Sequence, residues 1–201
     1  VMAVADIPKV QEGGMQLFWL ELSDNADKIF TRATQVAYSI VLLYLIITFA
    51  CALSYNIAGM GLFDSLAHAL TTISTGGYST HSDSFGFFDN PKIEYFAVLF
   101  MIIGSLPFVL YLQFVRGKPG NLFLDSQVIT FIVILISAII LCTIYVHINI
   151  GIHYGEALRR AAFNVTSILT GTGYVSSDYM SWGSFITALF FFLMLMGGCA
   201  G

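Results

Sequence analysis

Charge is what this sequence has least of. Its 201 residues include 8 lysines and arginines and 12 aspartates and glutamates, a charged share of 10%, where soluble domains carry about 25%. The net charge of −4 leaves no basic surface for a polyanion, so nucleic acid is excluded as a partner. Cysteine is scarce too: Cys51, Cys142 and Cys199 lie far apart in apolar runs with no Cys-x-x-Cys pair, which points to buried thiols rather than a metal site or disulfide framework. His68, His81, His147 and His153 are scattered without a ligand spacing and read as interfacial side chains, with a vestibule role left open for His81. What is abundant is apolar: 57% hydrophobic residues and a mean hydropathy of +0.82. That composition excludes disorder and an ordinary soluble enzyme, and describes a multi-pass membrane protein.

Charge-free windows place the spans at 36–53, 95–115, 128–146 and 179–201, each close to the roughly 20 apolar residues that a crossing helix needs. Neither end looks like a natural terminus, so an internal stretch of a longer protein is expected. The polar, amphipathic stretch 11–28 reads as a cytoplasmic connection. Between the spans, segments 61–80 and 154–176 are only moderately apolar and end in Thr/Gly-rich tails. Their helical parts, expected to be about 12 residues, are too short to cross a bilayer core of about 30 Å. Each reads as a re-entrant hairpin: a short helix descends and an extended segment returns, which is tolerated at membrane depth only where it is buried in protein or lines a water-filled cavity.

The order span, hairpin, span therefore occurs twice. A shift of 96 residues lays Ser74-Thr75-Gly76-Gly77-Tyr78-Ser79-Thr80 on Thr170-Gly171-Thr172-Gly173-Tyr174-Val175-Ser176. Recurrence of hairpin and spans together is a stronger signal than either motif alone. With the hairpins entering from outside, Lys9, Lys28, Arg32, Arg116 and Lys118 lie inside and Lys92, Arg159 and Arg160 outside, a weak positive-inside bias that leaves the reverse orientation open.

Such tails have a chemistry. A dehydrated monovalent cation needs oxygens in place of its water shell, and backbone carbonyls aimed at one axis supply them. Aiming successive carbonyls alike takes left-handed torsions, which glycine adopts without a Cβ penalty. Thr and Ser hydroxyls add oxygens, and the tyrosine ring wedges the strand against neighbouring helices. The short helix before each tail points its carboxyl end, equivalent to about −0.5 charge, at mid-membrane. Asp64 or Ser65 is expected to cap the first of these helices, and Glu156 stands near the start of the second. Arg159 and Arg160 read as outward-snorkelling anchors, and Asp83, Asp89, Glu94 and Asp178 as an acidic group on the same side that raises the local cation concentration or is simply solvated. Pro107, after Gly104-Ser105, predicts a kink in the span 95–115.

These residues resemble a known family, the TrkH-type subunits of the Trk/Ktr/HKT superfamily of potassium transporters. The likeness is carried by Val4-Ala5-Asp6-Ile7-Pro8 with Gly13-Gly14-Met15-Gln16-Leu17, by Ile73 to His81, by Thr166 to Tyr174, and by Gly197-Gly198-Cys199-Ala200-Gly201. The resemblance implies an all-α membrane fold of helix–re-entrant loop–helix units, four around one pseudo-fourfold pore, two of them largely present here. Residues 1–33 would end the first unit and connect it, 34–118 form the second, and 119–201 the third, truncated in its last helix. It implies potassium uptake across the bacterial inner membrane, with K⁺ as the transported ion and no organic cofactor. Ser74, Thr75, Gly76 and Gly77, with Thr170, Gly171, Thr172 and Gly173, would line the selectivity filter, mainly by carbonyls. Gly197, Gly198 and Gly201 would begin a Gly-rich intramembrane gate; packing of these glycines against a neighbouring helix is the alternative. Implied partners are the lipid bilayer, a second copy in a homodimer, and a cytoplasmic nucleotide-binding TrkA-type regulatory subunit. Ser79 and Val175 stand where potassium channels place a second filter glycine, which leaves a Na⁺-selective or cotransporting relative open. The other class of function, a membrane-embedded enzyme, lacks a His–Asp pair, a zinc-binding helix motif or a carboxylate in the spans.

Overall fold

The computed structural model describes residues 34–115, 117 and 120–197. The readings placed on 1–33, and on Arg116, Lys118, Gly198, Cys199 and Gly201, lie outside the described residues. The chain divides into two compact units, 1–42 and 43–201. The described part of the first is the opening of helix α1 (Thr34–Ile57).

In the second unit, α1 continues to its end and is followed by α2 (Leu62–Ile73), the 3₁₀ turn Ser84–Phe88, α3 (Pro91–Ser105), α4 (Phe108–Val115), α5 (Gly120–Phe123), α6 (Ser126–Ile150), α7 (Tyr154–Leu169), the 3₁₀ turn Tyr179–Trp182 and α8 (Ser184–Gly197). The described residues are all-helical, without strands. Helices α1 and α6, of 24 and 25 residues, are each roughly 36 Å or more long at 1.5 Å per residue and apolar enough to cross a bilayer. Only 22% of the most apolar window of α6 is buried, as suits a helix facing lipid. Its ends are set locally: the Asp125 carboxylate accepts from the amides of Gln127 and Val128, and Gly151 closes the helix at φ 76° with its N–H on the His147 carbonyl, a left-handed cap that glycine adopts without strain.

Both hairpin helices stop short of a span. α2 has 12 residues, as expected, and α7 has 16, longer than the sequence suggests but only about 24 Å. The span 95–115 is not one kinked helix: α3 and α4 meet at 90° across Leu106 and Pro107. Leu106 is extended, at φ −83° and ψ 148°, the conformation that a following proline imposes. The last span likewise starts late. Residues Tyr179–Trp182 form a 3₁₀ turn, and the helix begins at Ser184.

α7 is the hub, packing on α6, α3 and α8, while α2 packs on α3. Two glycines set the depth of these crossings. A Cβ on Gly104 of α3 would stand 2.9 Å from the Ile73 carbonyl oxygen, at the carboxyl end of α2, and one on Gly197 of α8 would collide with the Leu169 carbonyl, at the carboxyl end of α7. In both halves the helix after the hairpin passes the end of the hairpin helix at a glycine. Gly197 thus has a packing reason of its own.

Candidate functional site: two matched glycine-tyrosine turns

Each hairpin helix ends in the same turn. The amides of Ser74 and Thr170 bond the carbonyls of Leu70 and Thr166, at 3.2 and 2.9 Å; those of Thr75 and Gly171 bond Thr72 and Ile168, both at 3.1 Å; those of Gly77 and Gly173 bond Thr71 and Ser167, at 3.3 and 3.2 Å. Every pair differs by the same 96-residue shift. The torsions match as well. Thr75 and Gly171 have φ of 49° and 73°, and Gly77 and Gly173 have 65° and 85°. Left-handed residues therefore alternate along both turns, which is how a chain brings carbonyls to one side. Thr75 adopts this conformation without being glycine, at a cost of roughly 1–2 kcal/mol. Its amide bond to Thr72 helps to hold it there.

A hydroxyl on each helix locks the turn from behind. Thr71 Oγ1 donates to the Tyr78 carbonyl at 2.8 Å, and Ser167 Oγ to the Tyr174 carbonyl at 2.7 Å. Neither helix carries a basic residue in its last turn, so the negative helix ends meet the turns uncompensated.

The eight residues singled out in the sequence fall into two sets. The turns 74–77 and 170–173 come together at one point, where the Thr172 carbonyl lies on Gly77 at the position an L side chain would take. Thr172 and Thr170 are buried and bond each other through their hydroxyls at 2.8 Å. Ser74, Gly76, Gly171 and Gly173 are exposed, and Thr75 and Gly77 half-buried. The two tyrosines differ: Tyr174 is 1% exposed and reaches into α2, whereas Tyr78 is 78% exposed.

Several side chains do other work than the sequence suggests. α2 starts at Gly61 with no side-chain cap. Ser65 bonds back to Gly61, and Asp64 accepts from Thr80 Oγ1 at 2.7 Å and lies 3.3 Å from His81 Nε2. The Thr80 hydroxyl, aided by His81, holds the Asp64 carboxyl below its ordinary range. His81 also stacks on Phe87, ring centroids 3.6 Å apart. Arg159 is no snorkelling anchor: it pairs at 2.9 Å with Glu94 Oε1, and both side chains are largely buried. Glu94 thereby leaves the acidic group and joins α3 to α7. Arg160 turns to Glu156, 2.5 Å away on its own helix, because a cation near a helix amino end needs an adjacent anion.

The residues that sequence reasoning missed are Thr71, Ser167, His68 and Asn164. His68 is fully buried rather than interfacial. Carrying the 96-residue alignment six positions further back from Ser74 pairs Thr71 with Ser167 and His68 with Asn164, so the signal was present.

Long apolar helices alternating with short helices, each of the short ones closed by a left-handed turn, define an all-α membrane protein. The chain belongs to the TrkH cation transport protein family, whose model matches residues 1–201. It is 38% identical to the Trk system potassium uptake protein TrkI of Halomonas elongata, over 100% of this chain and 41% of that protein. To TrkH of Salmonella typhimurium it is 33% identical, over 100% of this chain and 42% of the relative. The crystal structure of the potassium transporter TrkH from Vibrio parahaemolyticus superposes with a TM-score of 0.76 at 30% identity, covering 80% of this chain and 35% of that one. The chain thus spans about two fifths of the length of these curated relatives. The family is one of transporters, not enzymes.

Proposed function

We infer that this chain supplies two walls of a cation pore and serves potassium uptake across a bacterial inner membrane. The observation that carries the reading is the matched pair of turns: left-handed torsions at Thr75 and Gly77 and at Gly171 and Gly173, with the next carbonyl clamped by Thr71 or Ser167. Carbonyls of Thr75, Gly76, Gly171 and Thr172 would replace the hydration shell of the ion, with Ser74 and Thr170 one step deeper and Gly77 and Gly173 supplying the torsions. Family membership and the potassium uptake proteins among its relatives favour K⁺ as cargo.

Two strands cannot surround an ion. In this reading residues 34–118 and 119–201 are two of four units, residues 1–33 end and connect another, and the pore belongs to the longer subunit. Gating would fall to the Gly-rich segment of Gly197, Gly198 and Gly201, and Gly197 also packs closely on the Leu169 carbonyl. The subunit would act as a homodimer with a cytoplasmic nucleotide-binding TrkA-type regulator.

The test is ion flux into proteoliposomes containing the full-length subunit. Gly173→Val would place a branched side chain at φ 85°, a conformation such residues avoid at a cost of order 1–3 kcal/mol. Loss of the preference for K⁺ over Na⁺ supports the reading, and an unchanged preference in well-folded protein refutes it.

A further inference from the structure

Behind both turns stands a polar side chain that the carbonyl chemistry does not use. His68 and Asn164 occupy the same place on their helices, related by the same 96-residue shift, and both are 0% exposed. Each reaches the limb of chain that leaves its turn just beyond the tyrosine. His68 Nδ1 lies 2.8 Å from the Asp64 carbonyl and Nε2 lies 2.9 Å from Ser79 Oγ. The Asp64 carbonyl only accepts, so Nδ1 carries the proton and Nε2 accepts from Ser79. Ser79 Oγ in turn accepts from the His81 amide at 3.1 Å. The imidazole is fixed laterally by ring edges of Phe85 and Phe88, at centroid distances of 5.2 and 5.3 Å.

Asn164 does the same with different chemistry. Its Oδ1 accepts from the Ser176 amide at 3.4 Å, and its Nδ2 donates to the Arg160 carbonyl at 2.9 Å and shares its other hydrogen between Ser176 Oγ and Ser177 Oγ, both 3.1 Å away. Two unlike side chains thus meet one geometric demand: a buried polar group bridging helix backbone and exit limb. A side chain needed only to fill space would not have to be polar, since a buried polar group is costly unless bonded.

We propose that His68 and Asn164 are paired positioning residues, each tying the limb that leaves its turn to the hairpin helix and so fixing the carbonyl spacing on which ion discrimination depends. The proposal rests on the filter reading above. Thr71 and Ser167 hold one end of each turn's last carbonyl segment; His68 and Asn164 hold the other. Without the second tie the limb beyond the tyrosine can shift and carry the turn with it, and the site fits a wider range of ions.

The experiment measures the K⁺/Na⁺ flux ratio of the full-length subunit in proteoliposomes for His68→Leu, His68→Gln, Asn164→Leu, Ser79→Ala and Gly173→Val, with folded yield followed by size-exclusion profile. Ser79→Ala cuts the His68 tie from the surface side and leaves the packing of α2 intact. We expect His68→Leu, Asn164→Leu and Ser79→Ala each to lower the ratio by about tenfold, the factor that about 1.4 kcal/mol represents. His68→Gln, whose amide can still reach Ser79, should recover most of it. If Gly173→Val removes discrimination while Ser79→Ala and the folded His68 and Asn164 variants keep the wild-type ratio, the positioning role is overturned and the filter reading stands. If Gly173→Val leaves the ratio unchanged, the filter reading fails and this proposal with it.

Discussion

The hydroxyl of Tyr174 lies 2.5 Å from that of Thr71. One belongs to the second glycine-tyrosine turn and the other to the helix of the first hairpin, so the contact helps to fasten the two halves at the level of both turns. The same phenol lies 3.1 Å from the His68 carbonyl oxygen and 3.3 Å from Thr72 Oγ1. Tyr55, from α1, reaches Thr72 Oγ1 at 2.9 Å, and Phe85 packs 4.5 Å from the Tyr174 ring. Thr71 also clamps the Tyr78 carbonyl, so it links the geometry of one turn to that of the other.

Tyr174→Phe should therefore act across the halves. It removes the phenol from three α2 oxygens in a fully buried site, and we expect a loss of about 1–3 kcal/mol. Thermal unfolding in detergent measures it. An unchanged melting temperature would show that the contact contributes nothing.

Gly77 and Gly173 share a torsion but not their surroundings. A Cβ on Gly77 would strike the Thr172 carbonyl, whereas one on Gly173 meets nothing within 4 Å. Gly173→Ala should cost roughly 1–2 kcal/mol from the torsion alone. Gly77→Ala should cost clearly more, because a backbone carbonyl must move as well. Comparing the unfolding of the two variants tests this, and equal effects would contradict the close approach of the turns.

Glu94 and Arg159 should be worth more when broken than when replaced together. Arg159→Leu leaves a buried carboxylate without its cation, and we expect a loss of about 3–5 kcal/mol. Glu94→Leu with Arg159→Leu should recover most of that. A double-mutant cycle reads the coupling; additive effects would mean that the pair is solvated.

Asp64 gives a pH dependence with a definite sign. Its carboxyl titrates lower in the folded protein because Thr80 and His81 favour the charged form. The stabilisation is therefore present above the ordinary Asp value of about 3.9 and is lost as pH falls through the lower folded value. Unfolding temperatures of the parent and Asp64→Ala should differ at pH 7 and converge as pH falls below the ordinary Asp value. A gap that stays constant over that range would contradict the Asp64–Thr80 link.

The fold was legible where composition alone decides. α1 and α6 are long apolar runs with no competing signal, and the two short helices with their matched turns followed from shortness plus an internal repeat. Where charge or proline intervened, local pattern misled. The 90° break at Leu106 and Pro107 read as a kink, because the sequence does not show how far a chain turns once a helix is interrupted. Arg159 looked like a lipid-facing anchor because its partner, Glu94, comes from another helix. The turns were legible by their glycines. Thr75 shows the limit of that rule: a threonine, its amide bonded to Thr72, stands where its counterpart is Gly171. His68 and Asn164 escaped notice because unlike residues filled one role.

The central claim is that the carbonyls of Thr75, Gly76, Gly171 and Thr172 bind a dehydrated monovalent cation. The most direct measurement is anomalous diffraction from crystals of the full-length subunit grown with thallium in place of potassium. The account predicts an anomalous peak on the axis between the two turns, within coordination distance of these carbonyls, that weakens when excess K⁺ is added. Thallium bound elsewhere along the pore, with none between the turns, would contradict it.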